Sequence, residues 1–297
     1  MTLNHAGVMR RMRWVLFATL LLLVATPAAV SAKDGESKLA TLNGAKVHYQ
    51  SYGKGSEAFV LIHGWTCNLG HWRYQVPDLS KRARVIVVDL PGHGESDKPD
   101  IAYTMDHFAA AIDAVLRDAK VDRAVLVGHS MGTPVARQFY RKYPQKTLAI
   151  VIVDGGLRLF GDQAMRDQWL ASFKAPTYKE AGKQMFAAMS PLLSEGDKEI
   201  VRASFLSTPQ NVVVSAMEGM GDEKLYALDK INVPVLAILA KSPYWAADTE
   251  QFFRNLAPDF EFYMWDGVDH FLFMEKRKEF NDTVLAFVNK KKLLKEK

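Results

Sequence analysis

The chain has 297 residues, 48% hydrophobic and 24% charged, which sets it among ordinary globular proteins with room for one domain and an insertion. Its net charge of +5 gathers at the two ends, in Arg10, Arg11 and Arg13 and again in Lys290, Lys291, Lys292, Lys295 and Lys297. The near-neutral body between them lacks the basic composition of a nucleic-acid-binding face, and one cysteine, Cys67, excludes an internal disulfide.

Arg10 to Arg13 open a stretch that reads as an export signal. Trp14 to Val24 form an apolar run of about 11 residues, short for a bilayer span. Pro27 breaks it, and Val30-Ser31-Ala32 offers the small residues that a signal peptidase needs. Cleavage after Ala32 is expected, leaving 33–297 as a periplasmic or secreted protein that meets the membrane only through this transient segment. A retained N-terminal anchor is the alternative.

Leu39 to Tyr52 reads as a hairpin around Asn43-Gly44. Apolar runs follow at Ala58–Ile62, Arg84–Leu90, Ala124–Val127, Ala149–Val153, Val235–Leu239 and Phe260–Trp265. They are continuous rather than alternating, as in strands buried on both faces of a parallel sheet. Helical patterns lie at Asp106–Ala119, Met131–Tyr143, Thr249–Leu256 and Arg277–Asn289. This alternation predicts an α/β fold with a doubly wound, mostly parallel sheet. Between Gly156 and Ile231 the only strand-like run is a weak one, Val212-Val213-Val214. The Met- and aromatic-rich stretch at about 157–230 is expected to form helices inserted as a cap.

Chemistry concentrates after the third of these buried runs, in Gly128-His129-Ser130-Met131-Gly132. Glycines two residues on either side of a serine remove side chains that a sharp strand-to-helix turn has no room for, and the following helix points its positive end at the serine. Three further motifs stand in order along the chain: His63-Gly64-Trp65, Pro91-Gly92-His93-Gly94-Glu95-Ser96 and Gly267-Val268-Asp269-His270-Phe271. Together the four motifs resemble those of the α/β-hydrolase family over nearly all of the mature chain.

The resemblance implies Ser130 as nucleophile and the backbone N–H groups of Trp65 and Met131 as an oxyanion hole. A serine hydroxyl needs a base. Of the eight histidines, only His270 follows the last core strand, where a loop can reach back over Ser130. His129 is expected to face away from the nucleophile, and His48, His71 and His107 have no motif around them. The third member is less determined. The family most often carries its acid after the strand Val235–Leu239, where this chain reads Ala240-Lys241-Ser242-Pro243. Asp154, at the end of the preceding strand, is favoured; Asp248 is the alternative, although it also suits a helix N-cap.

The resemblance implies an esterase-like serine hydrolase, acting on an ester, lactone or thioester of a small, apolar acyl substrate. Cofactor-free perhydrolases and carbon–carbon bond hydrolases share these motifs, and a ligand-binding protein without turnover is the alternative of another class. No metal-ligand spacing, phosphate-cradling loop or dinucleotide fingerprint is present, so neither metal nor cofactor is expected.

Overall fold

The apolar runs are mostly free of polar residues on either face, and in the computed structural model they become the parallel strands of one sheet. The model describes residues 1–2 and 35–295, so the expected export signal, its first two residues apart, lies outside the described residues. In chain order the elements are β1 (Glu36–Leu42), β2 (Ala45–Tyr52), β3 (Glu57–Ile62), α1 (Val76–Arg82), β4 (Arg84–Val88), α2 (Met105–Asp118), β5 (Arg123–His129), α3 (Gly132–Lys142) and β6 (Thr147–Val153). There follow α4 (Gln163–Lys174), α5 (Tyr178–Met189), α6 (Glu195–Ser207), α7 (Gln210–Met220), β7 (Val235–Ala240), α8 (Thr249–Leu256), β8 (Phe260–Trp265), α9 (Leu272–Glu275) and α10 (Arg277–Lys290).

The eight strands form one sheet in the order β1-β2-β4-β3-β5-β6-β7-β8. The β1–β2 and β2–β4 pairs are antiparallel and every other pair is parallel. This is the expected doubly wound α/β architecture with an antiparallel edge. Every residue of β3 and β7 is buried. β8, at the opposite edge, leaves Tyr263 and Met264 exposed.

The hairpin turns on Asn43 (φ 51°) and Gly44 (φ 86°), as its sequence requires. Val212-Val213-Val214, the weak strand-like run within the stretch expected to be helical, lies inside helix α7. There Val212, Val213 and Ala216 form one buried helical face, so tertiary packing overrides the β preference of valine. Helix α1, seven residues with Pro77 in its first turn, has no counterpart among the expected elements.

Helices α4 to α7 stand between β6 and β7 as an insertion. Arg137 of α3 binds both roots of it. Its guanidinium donates to the carbonyls of Leu157 and Ala227 and pairs with Asp229. Burial, then the neighbouring Arg141, pulls Arg137 down to about 10, still high enough to remain charged near neutrality. Inside the insertion, Phe173, Phe186 and Phe205 close around Trp65 of the loop after β3, with Phe173 edge-on at 4.8 Å.

Candidate active site

The C-terminal ends of the parallel strands converge on Ser130. Its φ of 51° is left-handed, a conformation that costs a non-glycine residue about 1–3 kcal/mol and persists only when its surroundings hold it. Those surroundings are explicit. Ser130 N–H donates to Val153 O at 2.9 Å, Thr133 N–H donates to Ser130 O at 2.9 Å, and Thr133 Oγ1 donates to Gly128 O at 3.1 Å.

The flanking glycines answer to backbone contacts. A Cβ on Gly128 would sit 2.3 Å from the carbonyl oxygen of Gly132, and one on Gly132 would sit 2.5 Å from that of Ile62 in β3. Gly132 therefore makes room for a neighbouring strand as well as for the turn.

His270 lies between β8 and α9. Its Nδ1 is 2.6 Å from Oδ2 of Asp154. Asp154 ends β6 at φ 43° and is buried. Its other oxygen, Oδ1, accepts the Ala240 N–H from the end of β7 at 2.8 Å. An ionised carboxylate only accepts, so the ring proton sits on Nδ1 and Nε2 carries a free lone pair. The loop is fixed on both sides of the ring: His270 N–H donates to Met189 O, from the end of α5, at 3.3 Å, and His270 O accepts from His129 Nε2 at 2.9 Å.

His129 stands beside the base: it borders the same cavity as Ser130 and His270, with its ring centroid 4.7 Å from that of His270. Burial, then the proximity of His270, holds its pKa well below the usual range. The neutral ring therefore spends its one N–H on the His270 carbonyl. Its position beside Ser130 in the motif was the only sequence signal of this role.

Asp248 is not brought to His270. It is exposed at the head of α8 and pairs with Arg158 at 2.7 Å, and its side chain makes no capping hydrogen bond. Asp269 does not touch the neighbouring ring either. Its carboxylate accepts from Phe271 N–H at 3.0 Å and from Leu192 N–H, in the insertion, at 2.9 Å. Glu275 accepts the Asp269 N–H at 3.0 Å, and its pKa is pushed up to about 8 by burial and by the Asp269 carboxylate.

The cavity holding Ser130 and His270 is small, about 20 Å³, with Trp65, Phe186, Met189 and Phe271 among its walls. That is room for roughly one water molecule. Trp65 is locked in place, its indole N–H donating to Val213 O of α7 at 3.0 Å. Among the described residues, no turn or loop carbonyl accepts the backbone N–H of Trp65 or of Met131. Cys67 borders the cavity too, its thiol pushed up to about 12 by burial. His63 and His93 are pulled down to about 3 and about 4 by burial, and they accept the N–H groups of Leu90 and Thr66. They brace the loops after β3 and β4. Among the described residues no group of three or more His, Cys, Asp or Glu is placed to hold a metal ion.

Residues 57–276 match the family described as alpha/beta hydrolase fold. The dihydrolipoyllysine-residue acetyltransferase component of the acetoin cleaving system of Pseudomonas putida is 28% identical over 256 residues. That match covers 80% of this chain but only 65% of the relative. The pimeloyl-[acyl-carrier protein] methyl ester esterase of Vibrio campbellii is 29% identical over 210 residues, covering 66% of this chain and 79% of the relative. Among solved structures, an N-acyl homoserine lactone degrading enzyme superposes with a TM-score of 0.72 at 27% identity, covering 84% of this chain and 100% of that one.

Proposed function

The chain belongs to the alpha/beta hydrolase fold family, and on that premise we propose that it is an exported serine hydrolase of carboxylic esters, including lactones and thioesters, in which Ser130 is the nucleophile, His270 the general base and Asp154 its carboxylate. One contact carries the proposal: the partly buried 2.6 Å pairing of His270 Nδ1 with Asp154, on a ring that borders the same cavity as a serine held at positive φ. The ester- and lactone-acting names of two relatives support the bond type.

In this mechanism Ser130 Oγ attacks the substrate carbonyl while its proton passes to His270 Nε2. Negative charge develops on the carbonyl oxygen, and the N–H groups of Trp65 and Met131 receive it at the head of α3. One such donor is worth about 10²- to 10³-fold in rate. The alcohol leaves with the proton from His270. Water then repeats the sequence on the acyl-serine, and the free acid departs. In this reading helices α4 to α7 act as a cap, with Phe186 and Met189 of α5 walling the cavity beside Ser130 and His270.

Turnover of aryl esters of graded chain length by the purified protein tests the assignment. Ser130→Ala and His270→Ala should each lower kcat by at least about 10³-fold. Wild-type turnover in Ser130→Ala would overturn it, as would a folded wild type that hydrolyses no ester and takes no fluorophosphonate at Ser130. Export is tested separately. Protein recovered outside the cytoplasm should begin at Lys33; protein retained in the membrane fraction with residues 1–32 attached would refute cleavage.

A further inference from the structure

A second serine–histidine–carboxylate relay stands at the antiparallel edge of the sheet. Ser37 of β1 lies two positions from Leu39, which pairs with His48 of β2, so Ser37 and His48 are diagonal neighbours on one face. Ser37 Oγ is 2.9 Å from His48 Nε2, and His48 Nδ1 is 2.7 Å from Asp89 Oδ2. The same ring nitrogen meets the carboxylate as in His270–Asp154. Both Ser37 and His48 precede the stretch that matches the family.

The relay is rigidly built. His48 and Asp89 are each 2% exposed, whereas Ser37 is open to solvent. Asp89 Oδ1 accepts the Leu69 N–H at 2.8 Å and Oδ2 accepts the Glu95 N–H at 3.0 Å. His48 N–H donates to Ser96 Oγ at 2.8 Å, and that hydroxyl donates to Asp89 O. Burial works to raise the Asp89 carboxyl, but its hydrogen bond with His48 and the remaining partners hold it below the usual range. An ionised Asp89 fixes the proton of a neutral His48 on Nδ1, so Nε2 is the acceptor turned toward the Ser37 hydroxyl.

We propose that Ser37 is a second reactive serine, a modification site for activated acyl and phosphonyl donors, with His48 as its base and Asp89 as the orienting carboxylate. With an aryl ester, Ser37 Oγ bonds to the carbonyl carbon and its proton moves to His48 Nε2. The carbonyl–oxygen bond to the aryl group then breaks, and the phenol leaves with that proton. With a fluorophosphonate, Oγ bonds to phosphorus, its proton moves to His48 Nε2, and fluoride leaves as the P–F bond breaks. The relay supplies a base and its carboxylate only. General-base help of that kind is worth about 10²- to 10⁴-fold, which suits donors with good leaving groups.

Two carboxylates face His48, Asp89 on Nδ1 and Glu95 at 3.8 Å from Nε2. The Asp89 hydrogen bond, opposed by burial and helped by both charges, raises the His48 pKa. The relay therefore acts as a base only once His48 has lost its second proton, so labelling of Ser37 rises with pH through a titration above the ordinary histidine range.

The test is fluorophosphonate labelling of Ser130→Ala, with the modified peptide mapped by mass spectrometry across pH. The expected result is an adduct on Ser37. It should form at least about 10²- to 10³-fold more slowly than the Ser130 adduct of the wild type, the factor that a single oxyanion donor is worth. It should increase with pH and fall at least tenfold in S130A/H48Q. Ser37→Ala, on an exposed edge, should leave ester turnover at Ser130 unchanged. Absence of a Ser37 adduct on Ser130→Ala overturns the proposal whatever the fate of Ser130. A Ser37 adduct indifferent to pH overturns it as well, and this measurement decides even if His48→Gln does not fold.

Discussion

Replacing Asp154 by asparagine keeps the shape of the site and changes only what its two oxygens can do. Both now accept from fixed donors: Oδ1 takes the Ala240 N–H at 2.8 Å, and Oδ2 takes His270 Nδ1 at 2.6 Å. Asparagine offers one oxygen and one NH₂. If the oxygen stays on Ala240, whose N–H is fixed at the end of β7, the NH₂ meets His270 Nδ1. That nitrogen must then accept, and the ring proton moves to Nε2, where it blocks transfer from Ser130. The opposite flip sets NH₂ against the Ala240 N–H and strands a buried donor, at about 1–3 kcal/mol. The unproductive tautomer is therefore favoured, and the carboxylate charge is lost with it. The expected fall in kcat is about 10⁴-fold, or about 5.4 kcal/mol of barrier. KM should change little, because Asp154 is not among the residues bordering the cavity. The assay is aryl-ester kinetics beside a thermal melt. Asp248→Asn is the control: it removes only the exposed pairing with Arg158 and should leave turnover within about twofold of wild type. A D154N enzyme within tenfold of wild type, or a collapse of turnover in D248N, refutes the tautomer argument.

Gly128→Ala forces a Cβ to 2.3 Å from Gly132 O and 2.9 Å from Thr133 N. Both are backbone atoms with nowhere to go, so the urea midpoint should fall by the equivalent of about 3 kcal/mol; an unchanged midpoint would contradict the packing described. Trp65→Ala removes the bond to Val213 O and the ring contacts with Phe173, Phe186 and Phe205, at about 3–5 kcal/mol of stability. It also opens the cavity, so the ratio of kcat/KM for an octanoyl over an acetyl ester should rise at least about tenfold; a constant ratio rules Trp65 out as a wall. Glu275 holds its proton to about 8 in the fold, against 4.5 for an ordinary glutamate. The native chain thus binds the extra proton across that window, and stability falls as pH rises through it. Glu275→Gln removes this slope, about 1–2 kcal/mol after allowing for solvent screening of a half-exposed group. Denaturation midpoints at about pH 5 and about pH 9 should diverge more in the wild type than in the variant, and equal divergence would sink the assignment.

The central strands were legible because burial on both faces leaves their interiors apolar: every residue of β7 is apolar, and in β3 only Glu57, paired with Arg123, is not. The valines of α7 gave only a weak strand-like signal inside the stretch expected to be helical, because β-branched residues favour strands while packing of Val212, Val213 and Ala216 decides for the helix. His48 gave no local signal at all. Its partners lie 11 and 41 residues away, and only the β1–β2 register and the end of β4 assemble them. The choice between Asp154 and Asp248 was open for the same reason. Each follows a buried strand, and composition does not say which carboxylate a loop 116 residues from Asp154 will meet.

The parallel register explains how the carboxylate of Asp154, at the end of β6, reaches the His270 ring. Val153 pairs with Ile238, so the ends of β6 and β7 stand one strand spacing apart, roughly 4.8 Å. A carboxylate one strand over from β7 still reaches the ring if its chain turns sharply. Asp154 does so at φ 43°, in a region that aspartate tolerates better than most residues. β7 takes part in the arrangement by donating the Ala240 N–H to that carboxylate. Thr133 then links this turn to the nucleophile. Its N–H holds Ser130 O, its hydroxyl holds Gly128 O, and that same hydroxyl would lie 2.0 Å from a Cβ on Gly155. The glycine after Asp154 is required because the acid turn packs directly on the helix that begins at the serine. The two turns are therefore one packed unit.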